Sequence, residues 1–383
     1  MSEAGQPGLQ SLQEAPDFRP ADAGSDFQTL HELVKAAHAK VDRNSWDYLI
    51  GGAETEATIM RNRWAIDCIN FRPRVLRNVS AVDLSSSFFG EQTALPLFIC
   101  PVGSLGSFHA DGGKAAAGAA GQYNVPIFVS SSVESSMEAV AAAAPRHKVF
   151  QLYPRGDRDW IDDYIRRAKA AGYRQLCMTV DNPVTSRRDR DLVKRYLKPW
   201  RRQGKAIEYN ASFDWDELKR IKDVHRMTTV VKGIATAEDA AIACQMGIDA
   251  VYVSNHGGRQ LDHGRGTIEI LPEVVSAVAG RAKVFIDGGF NRGSDIVKAM
   301  ALGADAVGIG RLYVYGLAAA GQAGVLRVLQ LLEAEIRTCI ALLGITRFAD
   351  LKPSHLHHPV IPMRTPHVHS AFPLLNLPDQ TYD

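Results

Sequence analysis

The chain has 383 residues, 46% apolar and 22% charged, and its 44 basic and 42 acidic side chains leave a formal charge of +2. That composition suits a globular protein with one large domain or two smaller ones, and the charge balance excludes bulk attraction to nucleic acid or anionic lipid. Five scattered cysteines with no CxxC pair are expected to be reduced core residues of a cytoplasmic protein.

Residues 1–26 are rich in Pro, Gly, Ala and acidic residues and lack a charged-then-apolar leader, so they are expected to form a flexible N-terminal tail. A domain at 27–352 and a C-terminal tail at 353–383 follow. No uncharged apolar run approaches the roughly 18 residues needed to cross a bilayer. From residue 95 short apolar runs alternate with helical patterns. Eight runs predict strands: Leu95–Cys100, Val125–Val129, Lys148–Leu152, Gln175–Val180, Thr228–Val231, Ala250–Val253, Lys283–Ile286 and Ala306–Ile309. Between them, Thr236 reads as the N-cap of a helix closed by Gly247, and Ser294-Asp295 as the start of one ended by Gly303. Eight alternations predict a (β/α)8 TIM barrel with an N-terminal helical extension and a C-terminal tail, an α/β fold. A doubly wound open sheet is the competing topology.

The residues just past each run favour closure. They are Pro101-Val102-Gly103, Ser130-Ser131, Gln151 with Tyr153, Thr179 with Asp181, Lys232-Gly233, Ser254 with His256, Asp287-Gly288-Gly289, and Gly310-Arg311. A closed barrel gathers its strand ends on one face, whereas an open sheet would spread these polar groups too far apart to act together. The glycines after the last two runs expose backbone N–H groups where barrels often bind phosphate, and Arg311 adds charge. The stretch from Ser254 to Asp262, SNHGGRQLD, sets a histidine and an arginine three residues apart with two glycines between them. It offers a proton acceptor and a fixed cation to one small anion; a structural turn with a surface histidine is the plainer alternative. The basic stretch beginning at Arg187 reads mostly as a solvated face alternating with Asp189 and Asp191, with one arginine turned inward.

With Phe71-Arg72-Pro73-Arg74, Gln151-Leu152-Tyr153, Thr179-Val180-Asp181, Val231-Lys232-Gly233, SNHGGRQLD and DGGFNRGSD in place, the chain from about residue 47 to 343 resembles the FMN-dependent α-hydroxy-acid oxidases and dehydrogenases. The resemblance implies FMN as cofactor and oxidation of an L-2-hydroxy acid to the 2-oxo acid, with oxygen or another acceptor taking the electrons. It implies His256 as base, Asp181 as its carboxylate partner, and Arg259 and Arg188 as cations for the substrate carboxylate. Tyr48 and Tyr153 match tyrosines that bond substrate, and Lys232 matches the lysine beside the flavin N1–C2=O edge. Pro101, Gly103, Ser131, Gln151, Thr179 and Ser254 match contacts to the flavin ring or ribityl chain. Asp287, Gly289, Asn291, Arg292, Gly310 and Arg311 match the ribityl–phosphate end. Read as residues alone, Asp181 before Asn182-Pro183 also fits a turn, Tyr153-Pro154 packing, and Tyr48 a core position near Trp46.

Two departures stand out. The family often has two arginines after DGG-x; here the first is Asn291 and Arg292 is the charged contact left for the phosphate. Ser132 stands where glycolate-oxidising members carry tryptophan, and Gly103 replaces a bulkier pattern, so the pocket is expected to admit a 2-hydroxy acid larger than glycolate. The connection from Asn182 to Met227, bearing Trp200, Tyr209 and Trp215, is long enough for a lid or specificity loop. Membrane-bound relatives carry an apolar insertion there; this one is basic and polar, so no membrane attachment is expected. No haem-binding domain precedes Tyr48, which sets the flavocytochrome reading aside. The histidines at 355, 357, 358, 367 and 369 have no regular ligand spacing, so no metal site is expected, and subunit packing in a homotetramer suits them better. The rival functions are a barrel isomerase using reduced FMN and a non-catalytic flavin-binding protein.

Overall fold

The computed structural model describes residues 27–144, 146–195, 211–358 and 371–372. The N-terminal extension is helical: α1 (Leu30–Lys40), α2 (Arg43–Ile50) and α3 (Ala57–Asp67). Local chemistry starts the first two. Thr29 and Glu32 form a capping box on α1, and the Asp42 carboxylate accepts the Asn44 and Ser45 N–H groups of α2. A short strand β1 (Asn70–Phe71) and a hairpin, β2 (Ser86–Phe88) and β3 (Glu91–Thr93), lead into the main domain.

All eight expected runs form strands: β4 (Leu97–Ile99), β5 (Ile127–Ser130), β6 (Lys148–Leu152), β7 (Gln175–Thr179), β8 (Thr228–Ile234), β9 (Ala250–Val253), β10 (Lys283–Ile286) and β11 (Ala306–Ile309). They pair in parallel and close in the order β10-β11-β4-β5-β6-β7-β8-β9, so the open-sheet alternative is wrong. Outside lie α4 (Gly112–Tyr123), α5 (Met137–Ala143), α6 (Arg158–Ala170), α7 (Asp189–Val193), α8 (Trp215–His225), α9 (Ala237–Gln245), α10 (Thr267–Val278), α11 (Gly293–Ala301) and α12 (Arg311–Leu342).

Strand alternation divides the strand side chains between two cores. Phe98, Phe128, Val149, Cys177, Val230 and Phe285 point into the barrel and pack together. Their neighbours Leu97, Val129, Phe150, Met178, Val231 and Ile286 join the larger core under the helices. The β2–β3 hairpin plugs the N-terminal end: Phe88 stacks on Phe285 at 5.3 Å between centroids, and Glu91 meets His147 and Arg174 at the feet of β6 and β7.

Some local expectations shift. β8 runs past Val231 because Gly233, at φ +111°, carries a register irregularity between Lys232 and Ile234, so Lys232 stands within the strand. α11 starts at Gly293 with Arg292 as N-cap, since the Asp295 carboxylate takes the Asn291 and Arg292 N–H groups. α9 begins as expected, with Thr236 Oγ1 accepting the Asp239 N–H. α12 is long and apolar enough to cross a membrane, but 72% of that stretch is buried in the fold and the helix breaks at Ala320–Gly321, so it is a core helix here. All five cysteines are free; Cys100 and Cys177 are buried and the others half-buried.

The expected C-terminal tail is tied to the body. A strand β12 (Leu356–His357) pairs antiparallel with β1, and Phe372 is buried beside His31. Residues 1–26, Trp200, Tyr209, His367 and His369 lie outside the described residues.

Candidate active site

The C-terminal strand ends surround a cleft of about 1350 Å³, its open mouth included. Its central loop is SNHGG, just past β9. Three contacts fix that loop to the N-terminal helices. Asn255 and Asn62 of α3 exchange amide hydrogen bonds at 2.8 and 3.0 Å. Asp262 accepts the Thr55 hydroxyl and the Thr55 and Thr58 N–H groups at the open start of α3, and these bonds, the Thr55 hydroxyl foremost, hold its carboxyl well below the usual carboxylate range despite burial. Gly258, at φ +76°, lies so close to Ile59 that a Cβ would come within 2.6 Å of it. The final Asp of SNHGGRQLD is therefore a helix cap.

His256 sits in the left-handed region, at φ +58°. The surrounding bonds hold that uncommon backbone in place. Its Nδ1 is 3.0 Å from Asp181 Oδ1 and its Nε2 is 3.2 Å from the Tyr153 hydroxyl. Asp181 approaches so closely because residue 233 is glycine: a Cβ there would fall 2.6 Å from the Asp181 Cβ. Burial, reinforced by the Lys232 charge, pulls the His256 pKa below its ordinary 6.5, although Asp181 pulls the other way. Burial pushes the Asp181 carboxyl up, but the His256 ring and Lys232 outweigh it and hold Asp181 low. The pair sets a ring that burial biases toward its neutral form against a carboxylate able to steady it once protonated, an arrangement suited to taking up a proton.

Lys232 Nζ donates to Ser254 Oγ at 2.8 Å and lies 3.6 Å from Asp287, which also accepts the Ser254 and Tyr252 hydroxyls. Burial would strip its proton, but the Asp287 and Asp181 carboxylates reverse that and hold it charged. Arg259 donates to the Gly51 carbonyl at 2.7 Å and stands 4.8 Å over the Tyr48 ring. Arg188 bonds Ser186 and Gln260. Tyr48, Tyr153, Arg188, Arg259, Lys232 and His256 all line the cleft.

At the far end Gly289, Asn291, Gly310 and Arg311 line the cleft together. Asn291 donates to the Gly289 carbonyl. Arg292 is not brought there: it pairs with Glu335 at 2.6 Å and with the Ala371 carbonyl, because Glu335 of α12 faces the start of α11. Of the expected cofactor contacts, Pro101, Gly103, Lys232 and Asp287 line the cleft, whereas Ser131, Gln151, Thr179 and Ser254 are at the strand ends without lining it. Gln151 Nε2 donates to Thr179 Oγ1, leaving Gln151 Oε1 buried without a partner among the described residues. Cleft-lining residues that sequence reasoning passed over include Asn62, Arg155, Phe108, Asn182 and Gln260. Arg155 had a signal, an arginine two residues beyond Tyr153 at the same strand end.

A flavin phosphate fits this end. Nothing lies within 4 Å of a Cβ built on Gly310, and α12 starts at the next residue, so a helix N-terminus, Arg311 and open space coincide. The unpartnered Gln151 Oε1 and the charged Lys232 suit the polar edge of a flavin ring.

The FMN-dependent dehydrogenase family model matches residues 37–358. The chain belongs to that family. It is 38% identical to glycolate oxidase 1 of Oryza sativa subsp. indica over 87% of this chain and 96% of that one. It is likewise 38% identical to an L-lactate oxidase of a Nostoc species, over 86% and 97%. Its fold superposes on a soluble mutant of the membrane-associated (S)-mandelate dehydrogenase of Pseudomonas putida with a TM-score of 0.82 at 35% identity, over 86% and 99%. Membership makes FMN the cofactor.

Proposed function

We propose that the protein oxidises an L-2-hydroxy acid larger than glycolate to the 2-oxo acid, with His256 as base. The observation that carries this is the joining of His256, Asp181 and Tyr153 by hydrogen bonds in one cleft with Arg188 and Arg259. The substrate must lose two protons and two electrons. FMN, when bound, would accept the two electrons and one of the protons. Arg259 and Arg188 receive the carboxylate, and an arginine fork can bond both of its oxygens. His256 Nε2 takes a proton, and Asp181 steadies the resulting cation through Nδ1. The Tyr153 hydroxyl, at hydrogen-bond distance from that nitrogen, orients the substrate hydroxyl, and Tyr48 closes the wall against Arg259. Lys232, Asp287 and the Gly310–Arg311 turn hold the cofactor, with Asn291 as a neutral donor. Ser132 and Gly103, small residues lining the cleft, suit an acid larger than glycolate. Similarity to a glycolate oxidase, an L-lactate oxidase and a mandelate dehydrogenase supports the reaction class. The domain spans 27–352, and the enzyme works in the cytoplasm as a homotetramer.

Anaerobic mixing of the yellow protein with L-2-hydroxy acids of increasing size tests this. Flavin absorbance should bleach, fastest with an acid larger than glycolate. A flavin indifferent to every acid would end the proposal. Readmitted oxygen then shows whether oxygen or another acceptor takes the electrons.

A further inference from the structure

We propose that the Tyr252 hydroxyl is a positioning group for the Lys232 ammonium: it holds the Asp287 carboxylate off Lys232, so that the ammonium keeps N–H groups for the cleft and raises the reduction potential of the flavin. This rests on the reading above that Lys232 and Asp287 hold the cofactor, and deepens it.

Tyr252 is a residue of the apolar plug whose tip reaches the reaction layer. It is fully buried on β9, and its ring packs edge-on against Phe98 and Phe128 at 5.3 and 5.6 Å between centroids. A phenylalanine would satisfy that packing, so the hydroxyl is the informative part. It donates to Asp287 Oδ2 at 2.8 Å and lies 3.3 Å from Cys100 Sγ. Ser254 Oγ donates to the other oxygen, Oδ1, at 2.6 Å. Asp287 is thereby gripped from both sides.

Lys232 is the neighbour that this grip affects. Its Nζ stands 5.1 Å over the Tyr252 ring and 3.6 Å from the same Oδ2 that takes the Tyr252 proton, too far for a hydrogen bond. A hydroxyl has one proton and two lone pairs. Ser254 gives its proton to Asp287 and so accepts from Lys232 Nζ at 2.8 Å and from the His256 N–H at 3.1 Å. That bond to Ser254 is the hydrogen bond Lys232 makes among the described residues, and an ammonium has three donors. Two remain for the cleft, which Lys232 lines. Without the phenol, Oδ2 loses its closest donor, and its charge draws Nζ down from 3.6 Å into direct contact, away from the cleft. Negative charge arriving on the flavin would then meet a cation already neutralised, and the reduced form would be less stable.

The test is the two-electron reduction potential of the FMN-loaded protein, read by equilibration with a reference dye and no substrate present. The wild type, Tyr252→Phe, Lys232→Met and the double variant are compared. Tyr252→Phe should shift the flavin equilibrium about tenfold toward the oxidised form, a potential about 30 mV lower, with full flavin content. Lys232→Met should shift it about a hundredfold, and adding Tyr252→Phe to it should change little, because the phenol acts through the ammonium. In Tyr252→Phe the limiting rate of flavin reduction should fall by one common factor for every L-2-hydroxy acid, with the acids' dissociation constants unchanged. An unmoved potential in Tyr252→Phe, or the same drop with and without Lys232, overturns this inference and leaves the cofactor reading standing. A Lys232→Met protein that keeps the wild-type potential brings down both.

Discussion

The two ends of the barrel are built by the same strands and do opposite things. At the N-terminal end Phe88, Phe98, Phe128 and Phe285 fill the interior, with Phe98 and Phe128 at 4.7 Å between centroids. Two residues further along the same inward-facing rows, Phe128 gives way to Ser130, Val149 to Gln151, Cys177 to Thr179, Val230 to Lys232 and Phe285 to Asp287. One step of strand periodicity separates a packed apolar plug from a charged reaction chamber. The lower layer is stabilised by burial and can be rigid. The upper layer keeps buried polar atoms such as Gln151 Oε1 without partners among the described residues, an arrangement that makes sense where ligands bind.

That contrast is open to test by mutating one end at a time. The largest effect belongs to His256→Gln, which removes the proposed base. Turnover with the best acid should fall about a thousandfold or more, with flavin content and the thermal midpoint unchanged. Phe285→Ala, a change in the plug, should do the reverse: about 3–5 kcal/mol of stability lost in denaturant melts, with the flavin-reduction rate of the folded fraction unaltered. A collapse of activity in folded Phe285→Ala enzyme would show that the two layers are not independent.

Asp181→Asn should slow reduction by about a hundredfold, since the imidazolium formed in the reaction loses its partner. The pH profile sharpens the same point. His256 must be neutral to accept a proton, so activity is present above its pKa and lost as pH falls through it. Because burial lowers that pKa, the acid limb of kcat/KM should lie below pH 6.5. Asp181→Asn removes the carboxylate charge that raises the ring, so it should move the limb lower still. The smallest effect is expected at Asn291→Arg: about tenfold tighter FMN binding, measured by flavin release on dilution, because a charged donor replaces a neutral one. No tightening would place the phosphate away from residue 291.

Much of the site was legible because the chemistry sits where strand signals end. Lys232, His256 and Asp287 each follow or close an apolar β-run, and a buried cation or imidazole there needs a reason. What was missed came from elsewhere in the chain. Asn62 lies on α3, far from any strand end, and meets Asn255 only because that helix folds back over the SNHGG loop. Arg292 looked like a phosphate ligand from its neighbours in sequence; Glu335, forty-three positions away, draws it aside.

By itself the sequence determined the eight strands, their inward and outward faces and the reacting loop, since these depend on local periodicity and on turn residues with few conformations. Only the tertiary structure decided which polar groups share the cleft. Tertiary folding brings Asp181 and Tyr153 to His256 and Glu335 to Arg292, and those distant partners set whether a side chain is poised to exchange a proton or locked in a structural ion pair.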